Sequence, residues 1–167
     1  MKLIIASNNA HKVSEIKAIL GCFYDEILSL REAGIDMDVV EDANTFEGNA
    51  LKKAREVFAV ADADAVLSDD SGLMVDALGG APGVHSARYT GNHDDSDLDR
   101  RKFLMKNLEG EEHRTARFVS AICCVFPNGD VLRARGTCEG RIATYMKGEN
   151  GFGYDAMFIA EGHDITM

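Results

Sequence analysis

Asp69-Asp70-Ser71-Gly72 places two adjacent carboxylates and a hydroxyl directly after the apolar run Ala65-Val66-Leu67. Such a run reads as a buried strand, and successive strand residues point to opposite faces, so Asp69 and Asp70 cannot both face the core. Gly72 then permits a tight backbone turn beside whatever the carboxylates hold. Acids at the end of a buried strand suit Mg²⁺, a hard cation that takes carboxylate oxygens and keeps water and substrate phosphates as its remaining ligands. The same four residues are also ordinary turn chemistry.

Other segments carry the groups a polyphosphate needs. Ser7-Asn8-Asn9-Ala10-His11-Lys12 lies between an apolar run and a helical pattern. A polar loop there offers free backbone N–H groups to a phosphate, with Lys12 as a point charge. It lacks the glycines of a P-loop, and an N-capping loop with a solvated lysine is the alternative. Glu41 sits in a polar connection, and Lys52, Lys53 and Arg55 come from one helix, where one cation could lean toward a phosphate. Arg88 follows the glycine-rich loop Gly79-Gly80-Ala81-Pro82-Gly83, and a guanidinium matches oxyanion geometry. His85, with no partnering Ser or Cys motif, is read as structural. In Gly151-Phe152-Gly153-Tyr154-Asp155, glycines let backbone approach a ligand, and Phe152 or Tyr154 could stack on a base. Asp155 could accept a hydrogen bond from a purine ring N–H; the alternative is a glycine turn before a strand.

The elements that position these groups follow from periodicity. Residues 2–6 read as a buried strand, Val13, Ile16, Ile19 and Leu20 mark a helix, and residues 26–30 form a second strand. Thr45 caps a helix over residues 46–61 that buries Ala50, Leu51, Ala54, Val57 and Phe58. Leu73-Met74-Val75 reads as a short separate strand after the Gly72 turn. A helix over residues 94–108 turns Leu98, Phe103, Leu104 and Leu108 inward, with Gly110 past its end. Residues 115–126 are apolar on both faces and so form a central strand; Asn128-Gly129 signals a hairpin into residues 131–138, extended by Arg141-Ile142-Ala143. Met157-Phe158-Ile159 is the last strand.

A chain of 167 residues fits one domain or two small lobes sharing a sheet. Its 46% hydrophobic and 28% charged content is that of a globular protein, and a formal charge of −10 argues against a nucleic-acid groove or an anionic membrane as partner. Cys22, Cys123, Cys124 and Cys138 show no C-x-x-C spacing, and Cys123 and Cys124 sit in an apolar strand-like run where reduced thiols behave as small hydrophobes. No secretory signal or membrane-length apolar stretch is evident, so the cytoplasm is the expected compartment.

Taken in order, Ser7-x-Asn9-x-x-Lys12, Glu41 ahead of Thr45-Phe46 and Asn49-Ala50, Asp69-Asp70-Ser71-Gly72, Gly79 to Gly83 with Ser86-Ala87-Arg88-Tyr89, and Gly151 to Asp155 resemble the Ham1/RdgB family, the inosine triphosphate pyrophosphatases. Each motif is weak alone; the ordered set is specific. The resemblance implies one α/β domain over residues 1–167, with an elongated, mixed, twisted sheet flanked by helices and a nucleotide cleft between two lobes. It implies Mg²⁺-dependent hydrolysis of dITP, ITP and XTP to the monophosphate and pyrophosphate, by a homodimer that binds no nucleic acid or membrane. By the same resemblance Asp70 is the catalytic carboxylate that positions or deprotonates the attacking water, with Glu41, Asp70 and Asp69 at the metal. Ser7, Asn8, Asn9, Ala10, His11, Lys12 and Lys53 hold the triphosphate, Ser71 and Arg88 contact phosphate, and Phe152, Gly153, Tyr154 and Asp155 meet the base. Ala43 and Ala156 stand where the family commonly has Gly and Pro. The family continues past the position of Met167 through a Lys, a Ser-His-Arg motif that completes the base pocket, and a terminal helix. Without them the alternative expectation is a catalytically impaired nucleotide-binding protein.

Overall fold

The structure is a computed structural model that describes residues 1–92, 94–148 and 151–167. In chain order the elements are β1 (Lys2–Ile5), α1 (Ala10–Leu20), β2 (Glu26–Ser29), α2 (Phe46–Val60), β3 (Ala65–Val75), α3 (Asp97–Asn107), β4 (Thr115–Val125), β5 (Val131–Ile142) and β6 (Phe158–Ala160). Short 3₁₀ turns cover Asp76–Leu78, Gly83–Arg88 and Asp155–Met157. The six strands form one sheet in the order β2-β1-β3-β4-β5-β6. β1 runs parallel to both β2 and β3, whereas β5 and β6 are antiparallel, so the sheet is mixed, as expected. The chain divides into two compact units, Met1–Asp70 with Ala121–Arg135, and Ser71–Ser120 with Gly136–Met167.

In the first unit, strand alternation sorts neighbouring residues into two cores. Ile4, Val66, Cys123 and Val125 join Ala50, Ala54 and Val57 of α2. Leu3, Ala65, Leu67 and Cys124 pack with Ile16 and Leu20 of α1. Helices thus cover both faces, which is why these strands read as continuous apolar runs rather than alternating ones. Thr45 caps α2 as expected, its Oγ1 accepting the Gly48 N–H at 3.0 Å. The hairpin turn is Phe126 to Gly129, with Gly129 at φ +89°, a three-residue loop closed by the Phe126 N–H on the Asp130 carbonyl.

In the second unit, Leu73 and Val75 of β3 pack with Leu104 and Leu108, Ala116, Ile142 and the Tyr154–Phe158 region. The third helix departs from expectation in two respects. α3 begins at Asp97 rather than residue 94, because Ser96 and Asp99 form a reciprocal capping box that fixes the start. Leu98 and Phe103 are exposed rather than buried; Phe103 lies edge-on to Tyr89 with ring centroids 5.1 Å apart. The larger correction concerns β3. It does not end at the acids and turn at Gly72 but continues unbroken for 11 residues, and Gly72 is buried within it. Among the described residues no helix is long and apolar enough to cross a membrane.

Candidate active site

The β3 alternation that builds the two cores also separates the two acids. Val66 faces α2, so Ser68 and Asp70 face α2 as well, and Asp69 faces α1 with Leu67. Partners follow the faces. Lys12, on the first turn of α1, pairs with Asp69 Oδ1 at 2.6 Å. On the α2 side, Ser68 donates its hydroxyl to the Ala50 carbonyl, and Asn49 Nδ2 donates to Asp70 Oδ2 at 3.0 Å. One turn along α2 from Asn49, Lys53 pairs with Glu41 Oε1 at 2.9 Å and donates to the Asp69 carbonyl at 2.6 Å.

Asp70 is only 5% exposed. Burial pushes its carboxyl above the usual range, opposed by the hydrogen bond from Asn49 and the charge of Lys53, and supported by the negative charge of Glu41. The structure therefore brings together five of the expected residues (Lys12, Glu41, Lys53, Asp69 and Asp70) within the first unit. Asn49 is the member that the site expectation left out. Its spacing of four from Lys53 places both on one helix face, at the margin of the apolar stripe, and that is the signal available in the sequence.

The Ser7–Lys12 segment departs from expectation. Its helix-start N–H groups are not free: Asn9 caps α1, with Oδ1 accepting from the His11 and Lys12 backbones at 3.0 and 3.2 Å. Ser7 Oγ accepts from the Asn9 N–H, and Asn8 Oδ1 holds the Arg31 N–H at 2.8 Å. Ala10 and His11 are exposed at the start of the helix. Side-chain caps thus hold the Asn9, His11 and Lys12 N–H groups, and the Lys12 ammonium is aimed toward Asp69.

The remaining expected residues lie in the second unit. Ser71 and Arg88 are half-buried, Arg88 closing the Gly83–Arg88 turn. Ser86 Oγ accepts the Leu73 N–H at 2.9 Å and donates to the Gly83 carbonyl at 2.6 Å. Tyr154 is corrected from a stacking candidate to a core residue. It is 5% exposed, its hydroxyl donates to the Ser86 carbonyl at 2.7 Å, and burial raises its phenol pKa. Phe152 is half-buried and its N–H donates to Asp155 Oδ2 at 3.0 Å. A Cβ on Gly151 would come within 2.3 Å of that oxygen, so the glycine makes room for Asp155 to fold back on its own loop. The Gly153 N–H, at φ +59°, donates to Asp97 Oδ2 at 2.9 Å.

An α/β fold with a mixed six-stranded sheet and a mid-strand carboxylate ringed by lysines and a second acid is the class this structure defines. Residues 3–167 match the model of the Ham1 family. A dITP/XTP pyrophosphatase of Clostridium perfringens is 48% identical, the match covering 99% of this chain and 84% of that protein. The structure of the Staphylococcus aureus Ham1 protein superposes with a TM-score of 0.87 at 39% identity, over 100% of this chain and 85% of that one. A nucleoside-triphosphatase/dITP/XTP pyrophosphatase of Mycobacterium abscessus gives 0.80 at 40% identity, over 99% and 87%. The chain belongs to the Ham1 family.

Proposed function

We propose that this chain is a nucleoside triphosphate pyrophosphatase that hydrolyses non-canonical purine nucleotides (dITP, ITP and XTP) to the monophosphate and pyrophosphate. Relatives that match across 99% of the chain carry the name dITP/XTP pyrophosphatase, which does not favour the impaired nucleotide-binding alternative. The observation that carries the reading is Asp70, a buried carboxyl above its usual pKa, beside Glu41 and two lysines. In this reading Asp70 orients a water and takes its proton as the water oxygen bonds to the α-phosphorus. The α-phosphorus to bridging-oxygen bond breaks, and the electron pair leaves with pyrophosphate. Lys12 and Lys53 supply positive charge for that leaving group.

Mg²⁺ fits the donor set as the accompanying cation. Glu41 and Asp70 are hard oxygen donors, and Mg²⁺ characteristically takes one or two carboxylates with phosphates and water completing its shell. Among the described residues no cluster of three or more potential ligands forms an all-protein cage. The buried charge of Asp70, only partly offset by Asn49 and Lys53, favours a cation there. Asp69, held by Lys12, is assigned to support rather than to direct ligation. When bound, the ion would neutralise charge on the phosphates. Ser7, Asn8, Asn9, Ala10, His11, Ser71 and Arg88 remain proposed phosphate contacts, and Phe152, Gly153 and Asp155 proposed base contacts. The reading also includes a homodimer in the cytoplasm, consistent with four free cysteines.

The test is pyrophosphate release with Mg²⁺ across dITP, ITP, XTP, dUTP and dTTP. Turnover of the 6-oxo purines above the pyrimidines is expected. Equal or greater turnover of dUTP or dTTP rejects the substrate class, and release of orthophosphate instead of pyrophosphate rejects the reaction.

A further inference from the structure

We infer that Asn49 is a positioning residue for the reaction, one that fixes Asp70 and the Glu41-bearing segment in a single geometry. The inference rests on the proposed role of Asp70 as proton acceptor. Asn49 is fully buried (0% exposed), on the second turn of α2. A carboxamide has two N–H donors and one carbonyl acceptor, and a buried one needs partners for both ends. The acceptor end is fixed by the backbone: Oδ1 takes the Ala43 N–H at 2.9 Å. That leaves the Nδ2 end toward β3, where it donates to Asp70 Oδ2 at 3.0 Å. Ala43 lies two residues after Glu41, so one side chain ties the catalytic carboxylate to the loop that carries the other acid. The Asn49 backbone is itself held by the Thr45 carbonyl at 3.2 Å, and the next residue's carbonyl takes the Ser68 hydroxyl from β3. The strand is thus also tied to the helix right beside the amide. The bond assigns Asp70 Oδ2 to orientation and leaves Oδ1 to the water.

A buried asparagine serving only the fold would act through its bond to Ala43, and an aspartate there keeps that acceptor. Aspartate loses the donor to Asp70 and sets a second carboxyl against it, whereas leucine removes the donor without adding charge. The experiment therefore compares Asn49→Asp and Asn49→Leu, each alone and with Asp70→Asn, reading kcat and KM for dITP separately alongside thermal melting. In both folded single variants kcat is expected to fall about a hundredfold, the scale of a misplaced catalytic group. KM stays within about threefold, because the lysines are untouched. In the Asp70→Asn background Asn49→Asp, which keeps the bond to Ala43, does not lower the residual rate further, since its effect runs through the group already removed. Should Asn49→Leu fail to fold, Asn49→Asp carries the test, having kept the bond to Ala43. Wild-type kcat in a folded Asn49 variant, or an equal fractional loss from Asn49→Asp in the Asp70→Asn background, overturns the inference. Full activity of Asp70→Asn alone would instead overturn the proposed role of Asp70.

Discussion

Replacing Asp70 with Asn separates catalysis from stability, and both halves can be measured. The carboxyl is 5% exposed and accepts a hydrogen bond from Asn49, while burial holds its pKa above the usual range. A carboxyl raised in the folded state stabilises the fold when protonated. That contribution is complete below the unfolded pKa of about 3.9 and is lost as pH rises through the folded value. At pH 7 the ionised Asp70 therefore costs stability. Each unit of elevation corresponds to about 1.4 kcal/mol, and each kcal/mol to about 2–4 °C in Tm for a chain of this size. Asparagine has the same shape, carries no charge, and its carbonyl can still accept from Asn49. The ligand-free variant is expected to melt above wild type at pH 7, with the gain shrinking toward pH 4. Removing the proton acceptor is expected to lower kcat by about 10²–10⁴, while nucleotide binding persists. Melting curves at both pH values and pyrophosphate release with dITP and Mg²⁺ provide the assay. A variant that melts below wild type at pH 7 would refute the burial argument, and one that keeps kcat within about tenfold would remove Asp70 from the chemistry.

Lys53→Met removes the pair with Glu41 and the bond to the Asp69 carbonyl. Denaturant unfolding should show a loss of about 1.5–3 kcal/mol, and calorimetry should show weakened binding of inorganic pyrophosphate. Ser96→Ala removes the capping box of α3. The cost should be about 1 kcal/mol, seen as a Tm lowered by about 2–4 °C with kcat unchanged. A thiol reagent at pH 8 should modify Cys22 and Cys138, which are exposed, well before Cys123 and Cys124, which are buried. Burial pushes the Cys124 thiol up to about 11, so its rate should rise only when the protein is unfolded.

The sequence determined the parts. Apolar runs and helical spacing located β1, α1, α2, β4 and the hairpin, because those patterns record burial of each segment's own faces. Thr45 and the Asp69-Asp70 pair were legible for the same local reason, and period-two alternation already required the two carboxylates to diverge. What it left open was what each would meet. Only the packed sheet placed α1 over the Asp69 face and α2 over the Asp70 face, giving one acid Lys12 and the other Asn49. Only there did β3 run on through Gly72, its polar residues held by partners on both helices rather than turned out to water. Tyr154, read as a candidate to stack on a base, is buried instead, with the Ser86 carbonyl as the acceptor for its hydroxyl. Pattern depends on a residue and its near neighbours, whereas these pairings join groups 21 to 68 positions apart, and long-range packing selected them.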